Sequence, residues 1–311
     1  MKRDRIVFVL GAGASMPYGF PSGEGLKDEI CDQLPIIWSK MKPKDDRAKR
    51  DAENVVREIA KADTYTIDEF LEYNSEYRHF CRIGIAAIIL QRENLDKPRN
   101  ALPKDDHWQK YLWPWLITKD PNAFPDRKAT FITYNYDRSL EYAMGLTISG
   151  RYTADMQTAM GFVSKVRIIH VYGRLGRLFG HKGSGEYVPY GGRNGEKKYE
   201  KYLGIAANQI KTIGEGYGTQ DMGYAWQDLA QARRVIFLGF GFNKTNLKLL
   251  KLDETLSEDV EVVGTAYGET EMKKNRFIEL LHEAGVHIDC EPRLEPRTNL
   301  ELLQDMEEFV V

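Results

Sequence analysis

Residues 6–15 read Ile-Val-Phe-Val-Leu-Gly-Ala-Gly-Ala-Ser, and this stretch decides the fold. Ile6–Leu10 is wholly apolar and rich in β-branched residues, which suits a strand buried on both faces of a parallel sheet. The run then breaks into Gly11-Ala12-Gly13-Ala14-Ser15. A strand that enters a glycine turn and opens a helix makes an anion site. The glycines let the backbone approach a phosphate, and the amides of the helix start point at it. The expectation is a nucleotide-binding βα unit.

Gly11 and Gly13 match the first two glycines of the dinucleotide fingerprint, and the third would fall on Met16. No lysine follows the glycines, which argues against a P-loop NTPase. The plainer reading is a tight turn in an ordinary α/β sheet. Lys2 and Arg3 precede the apolar run as they would in a secretory leader. Asp4 and the interrupting glycines favour the strand instead.

Working outward, Thr130–Tyr134 and Val235–Phe240 read as further buried strands, Val166–Val171 and Val260–Ala266 look similar, and Val286–Asp289 is a weaker candidate. Strands separated by helical patterns imply an α/β, doubly wound, mostly parallel sheet. A helical insertion is expected over about 35–120. Leu26, Ile30 and Leu34 repeat every four residues, and Val55, Val56 and Ile59 form another apolar face. Thr66-Ile67-Asp68-Glu69 has the spacing of a capping box, which starts a helix near Ile67. Tyr77–Arg92 is a long apolar helix candidate. Trp108, Tyr111, Leu112 and Trp115 form a core-type stripe interrupted by Pro114. The glycine-rich stretch of about 173–216 reads as a long loop region, of the kind that forms lids.

The 311 residues allow one large domain, and the net charge of −2 with interspersed signs argues against direct nucleic-acid binding. Runs such as Ile83–Leu90 are too short to span a membrane. Cys31, Cys81 and Cys290 form no CxxC pair, so no structural zinc site or other metal is expected, and the sparse cysteines fit the reducing cytoplasm.

Three more motifs end predicted strands. Thr133-Tyr134-Asn135-Tyr136-Asp137 places Asn135 and Asp137 where ligands bind in open α/β sheets, although such residues also serve as turn formers and helix caps. Ile169-His170-Val171-Tyr172-Gly173 puts a histidine at a strand end, and period-two alternation puts His170 and Tyr172 on one face. Gly239-Phe240-Gly241-Phe242-Asn243 continues to Asn246 and reads either as another strand–turn–helix unit or as a nucleoside platform contacted by Asn243 or Asn246.

In this order the four motifs resemble sirtuin-like proteins of the silent-information-regulator-2 superfamily, especially the prokaryotic branch of antiviral defence systems. Thr66–Leu71 is similar to a further short motif of that branch. The matches run from Ile6 to about Leu250. The resemblance implies a single NAD-binding domain on a Rossmann-like sheet over residues 1–311. Gly11, Ala12, Gly13 and Ser15 would hold the pyrophosphate. Asn135 would orient the nicotinamide ribose or a water, and Asp137 would support it. Gly239, Phe240 and Asn243 would face the adenosine half. The defence branch uses an Asn and a His to split nicotinamide from ribose. That depletes NAD in an abortive response to phage.

Two departures stand out. The four-cysteine zinc module of sirtuin deacylases is absent, which argues against deacylation. The family's usual catalytic histidine position holds Tyr172, with His170 two residues earlier, about 6–7 Å along a strand. Either His170 enters the pocket from deeper in the sheet, as the base, or Tyr172 takes its place. NAD is therefore expected as substrate of a glycohydrolase. The alternatives are a non-catalytic sensor of NAD or an ADP-ribose derivative, or an unrelated α/β enzyme using another nucleotide. A free NAD hydrolase would harm its host, so control by homo-oligomer formation or by a separately encoded activator is expected. The resemblance suggests a HerA-type ATPase as that activator.

Overall fold

Six strands, β1 (Arg5–Leu10), β2 (Ala129–Thr133), β3 (Arg167–His170), β4 (Ala232–Leu238), β5 (Glu261–Thr265) and β6 (Arg293–Glu295), form one sheet in a computed structural model of the chain. The structure describes residues 5–93, 107–121, 124, 129–179, 186–193, 198–212, 215, 219–287 and 291–306. All five pairings are parallel, and the order is β3-β2-β1-β4-β5-β6. This is the Rossmann order, a doubly wound α/β sheet whose connections reverse between β1 and β4. Val7, Phe8 and Val9 of β1 are fully buried, as a central strand covered on both faces requires.

The expected sixth strand is corrected. Val286 and His287 are not in a strand, Asp289 lies outside the described residues, and the edge strand is Arg293–Glu295. Its single apolar residue, Leu294, is buried between a polar pair, a pattern too short to stand out in the sequence. β4 stops at Leu238, before the expected end at Phe240, because Gly239 turns left-handed at φ 55°.

Between β1 and β2 come the helices Gly23–Met41, Asp46–Ala62, Ile67–Tyr73, Arg78–Arg92 and Trp108–Leu116. Ile83–Leu90 is buried at every position, so this helix is enclosed on all sides. Thr66 caps the helix at Ile67 by accepting from the Glu69 amide at 3.1 Å. The Glu69 carboxylate answers at the Tyr65 amide rather than at Thr66, so the box is displaced by one residue. The helix Trp108–Leu116 runs through Pro114, and Trp108 is fully buried with its indole N–H on the Ala14 carbonyl at 2.8 Å.

The stretch 173–216 is not one loop: it contains the helix Tyr199–Gln209. A buried ion pair holds its start. Arg138 meets Glu93 (Nε–Oε1 2.9 Å) and donates to the Val188 carbonyl at 2.6 Å. Cys31 and Cys81 are free thiols, and Cys290 lies outside the described residues. No helix among the described residues is long and apolar enough to cross a membrane.

The turns after β1 and β4 interlock. The Gly13 amide donates to the Gly239 carbonyl at 2.9 Å, and a Cβ on Gly239 would lie 2.2 Å from the Ala14 nitrogen. Gly239→Ala therefore meets backbone as well as an unfavourable φ, and we expect a loss of at least about 2 kcal/mol of stability. Gly241→Ala, where a Cβ meets nothing within 4 Å, should melt within about 0.5 kcal/mol of the parent. Equal thermal denaturation of the two variants would refute the interlock.

Candidate functional site

A cleft of about 500 Å³ opens beyond the carboxyl ends of β1, β2 and β4, at the point where the strand order reverses. Ligands bind at this place in open α/β sheets. Gly11, Ala12, Asn135, Tyr172, Phe240 and Asn243 line it, as the motifs led one to expect. Gly13, Ser15, Asp137, His170 and Gly239 do not.

The glycine turn is built differently from the expectation. It opens two short 3-10 turns, Ala12–Ala14 and Met16–Tyr18, and the first α-helix begins only at Gly23. The amides of Gly11, Gly13, Ala14 and Ser15 donate to the carbonyls of Leu238, Gly239, Gly11 and Ala12. The Ala12 amide alone in this turn has no carbonyl acceptor among the described residues, and Ala12 faces the cleft. The glycines are needed first for backbone packing: a Cβ on Gly11 would stand 2.5 Å from the Gly239 oxygen.

Asn135 is the hub. Its Nδ2 donates to the Gly11 carbonyl (2.8 Å) and the Ser15 hydroxyl (2.9 Å), which fixes the orientation of the amide. Its Oδ1 accepts nothing from the described residues and remains available to a ligand hydroxyl or a water. The Ser15 hydroxyl donates to Asp137 Oδ2 at 2.7 Å, and Asp137 Oδ1 accepts from the Ser139 amide at 3.0 Å. Burial pushes the Asp137 carboxyl up, and the two serines oppose that. Asp137 thus supports the hub from behind, and with Ser15 it lines a smaller cavity that shares Ala12, Asp68 and Asn135 with the cleft.

His170 and Tyr172 do not share a face. β3 ends at His170, and the chain turns there, with the Gly173 amide on the His170 carbonyl at 3.1 Å. Period-two alternation stops with the strand. His170 Nδ1 faces the Asn135 carbonyl (2.9 Å) and Nε2 faces Glu141 Oε1 (3.0 Å). Both nitrogens face acceptors, so neither presents a lone pair to the cleft, and the expected base role has no geometric support. Tyr172 does line the cleft, but its hydroxyl donates to Asn246 Oδ1, and burial with nearby Asp68 pushes the phenol up. It is a donor and not a base.

The residue that sequence reasoning passed over is Asp68. It lines the cleft from the helix Ile67–Tyr73, and its Oδ1 accepts from the Tyr136 hydroxyl. Burial pushes its carboxyl up to about 6, with the Tyr136 hydrogen bond opposing. The one sequence signal was its place in Thr66–Leu71, where an acid in a first helical turn reads as dipole matching. Glu24, Glu69 and Glu72 also line the cleft, and no Lys, Arg or His does among the described residues. Exposed Tyr65 and Tyr73 stand at its rim.

Glu141 anchors the histidine. Burial alone would raise its carboxyl, but His170 and then Arg174 outweigh burial and hold it at about 2, below the ordinary 4.5. A depressed carboxyl stabilises the fold above pH 4.5 and loses that contribution as the pH falls toward 2. Glu141→Gln should cost on the order of 2–3 kcal/mol at neutral pH, with the gap to the parent closing between pH 4.5 and 2. Melting curves across that range check it, and a constant gap would contradict the pairing.

No family model matches the chain, and no curated protein matches it.

Proposed function

We propose that this protein hydrolyses NAD at the bond between nicotinamide and ribose. The observation that carries the reading is the meeting of Asn135 and Asp68 on one cleft at the reversal point of a Rossmann sheet. The chemistry suits them. Nicotinamide departs from NAD as a neutral molecule, taking the bonding electrons, and leaves positive charge on the ribose. That charge is stabilised by a nearby carboxylate. Asn135 Oδ1 orients the incoming water, the water oxygen bonds to the ribose carbon, and Asp68 takes the released proton. The products are nicotinamide and ADP-ribose. A lining with four carboxylates and no cation among the described residues favours the cationic nicotinamide end of the substrate. The Ala12 amide and the loop from Phe240 to Asn246 are the polar partners for the rest.

A second reading is a binding module for NAD or an ADP-ribose derivative. It is favoured by the engagement of both His170 nitrogens, which removes the base that the sirtuin-like resemblance implies. On the hydrolase reading, activity without restraint would deplete the host, so we propose control by assembly with itself or with a HerA-type ATPase, in antiphage defence. Light scattering alongside an NAD assay tests this; a strict monomer with constitutive turnover would refute it.

Asp68 gives a sharper test. Its carboxyl acts when ionised, so turnover should rise through pH 6 and flatten above it. Asp68→Asn should lower kcat at least tenfold and erase that limb, and Asn135→Ala should abolish nicotinamide release. The sign for stability is opposite. A carboxyl raised from 3.8 to about 6 makes ionisation costly to the fold as the pH climbs through that interval. Asp68→Asn should therefore melt higher than the parent at pH 7. Intact NAD bound without nicotinamide release by the parent would select the binding module.

A further inference from the structure

The charges of this chain nearly cancel, at −2 net, yet they are segregated. The cleft holds Glu24, Asp68, Glu69 and Glu72 and no cation among the described residues. Glu24 and Glu72 are exposed and enter no ion pair among the described residues. The opposite sign collects at the far end of the first long helix. That helix, Gly23–Met41, starts at the cleft, where Gly23 and Glu24 line it, and its 19 residues run about 28 Å away. At that end Lys40, Lys42, Lys44, Lys49 and Arg50 are exposed and enter no ion pair among the described residues. These cations surround the start of the helix Asp46–Ala62, the positive end of a helix dipole. Helix stability opposes them there and does not account for them.

The basic turn and the cleft mouth are complementary in apolar surface as well as in charge. Ile36 stands 55% exposed one helical turn before Lys40, on the same face. Tyr65 and Tyr73 at the cleft rim are 75% and 79% exposed. Tyrosine rings bury apolar side chains and attract lysine and arginine cations. The turn cannot reach its own cleft across the length of the helix, so the contact joins two copies head to tail. It also answers a need of the cleft. NAD carries two negative phosphates, which four carboxylates repel. The turn after β1 offers them one unbonded amide, that of Ala12.

We propose that a second copy of this chain docks its basic turn at the cleft mouth, beside Tyr65 and Tyr73, and that its Lys42 and Lys44 supply the cations for the pyrophosphate. The docking is independent of the cleft's chemistry, and the role of the two lysines rests on the NAD reading. Sedimentation of the full chain, with nicotinamide release measured on the same samples, tests both. The parent should form species heavier than the 35.8 kDa monomer at low salt and dissociate at high salt. One variant combines Lys42→Glu with Lys44→Glu, acids that a helix N-terminus favours. The other combines Glu24→Lys with Glu72→Lys, at exposed positions. In each variant alone the turn and the cleft carry like charge, and it stays monomeric. An equimolar mixture restores opposite charge at every contact and assembles. Nicotinamide release, at least tenfold lower in the lysine-to-glutamate chain alone, returns in the mixture, where its native clefts meet native turns. A parent that is monomeric at low salt, a lysine-to-glutamate chain that assembles like the parent, or a mixture that stays monomeric overturns the docking. Undiminished nicotinamide release by the lysine-to-glutamate monomer overturns the role of the lysines. A mixture that assembles while no sample, the parent included, releases nicotinamide supports the docking and refutes the NAD reading. If the glutamate-to-lysine chain does not fold, the salt dependence of the parent and the lysine-to-glutamate chain, both with native clefts, still decide.

Discussion

The close passage of two backbone turns governs the architecture of the switch point. Gly11 and Gly13 lie against Gly239 so tightly that a methyl group on any of the three would overlap backbone atoms. Around this contact the rest is tied. Gly239 donates to the Thr265 hydroxyl at 2.8 Å, and Asn299 reaches the Gly13 carbonyl at 3.2 Å. Trp108 holds the next carbonyl, Ala14, from the inserted helices. The ends of β1, β4 and β5, the helix Asn299–Asp305 and the insertion therefore share one set of backbone atoms. The cleft has its shape because these loops cannot separate.

On that floor the polar groups form a chain in which each member is held by the next. Asn135 is oriented through its Nδ2, its carbonyl receives His170, and His170 rests on Glu141, which Arg174 also holds. A buried carboxylate is costly unless positive partners compensate it. Here a histidine and an arginine share a single oxygen. The arrangement fixes the Asn135 amide through its Nδ2 and leaves its Oδ1 without a partner among the described residues. This rigidity is the kind of preorganisation that polar sites require.

Much of the framework was legible because it rests on patterns of two kinds. Ile6–Leu10 followed by glycine marks a central strand, and Asn135 at the end of β2 falls where strand ends place ligands. What was not legible depends on distance in the chain. The need for Gly13 comes from Gly239, which no local pattern links to it. The shared face of His170 and Tyr172 failed because a strand end cannot be fixed to one residue by composition. Glu141 sits inside a helix, where an acid carries no signal until Arg174 and His170 are seen beside it. Arg293–Glu295 pairs as a strand through its neighbour β5 rather than through its own residues.

Asp68 reaches the cleft from the insertion and not from the sheet. The helix that carries it has only seven residues, docked through Ile67, Phe70 and Leu71. A helix so short has little intrinsic stability, so packing alone keeps it formed. Local unfolding of such a segment costs less than global unfolding. The Rossmann sheet can therefore persist while the carboxyl is absent from its post. Whether the carboxyl stands at the cleft is then set by the packing of these seven residues, independently of the strands.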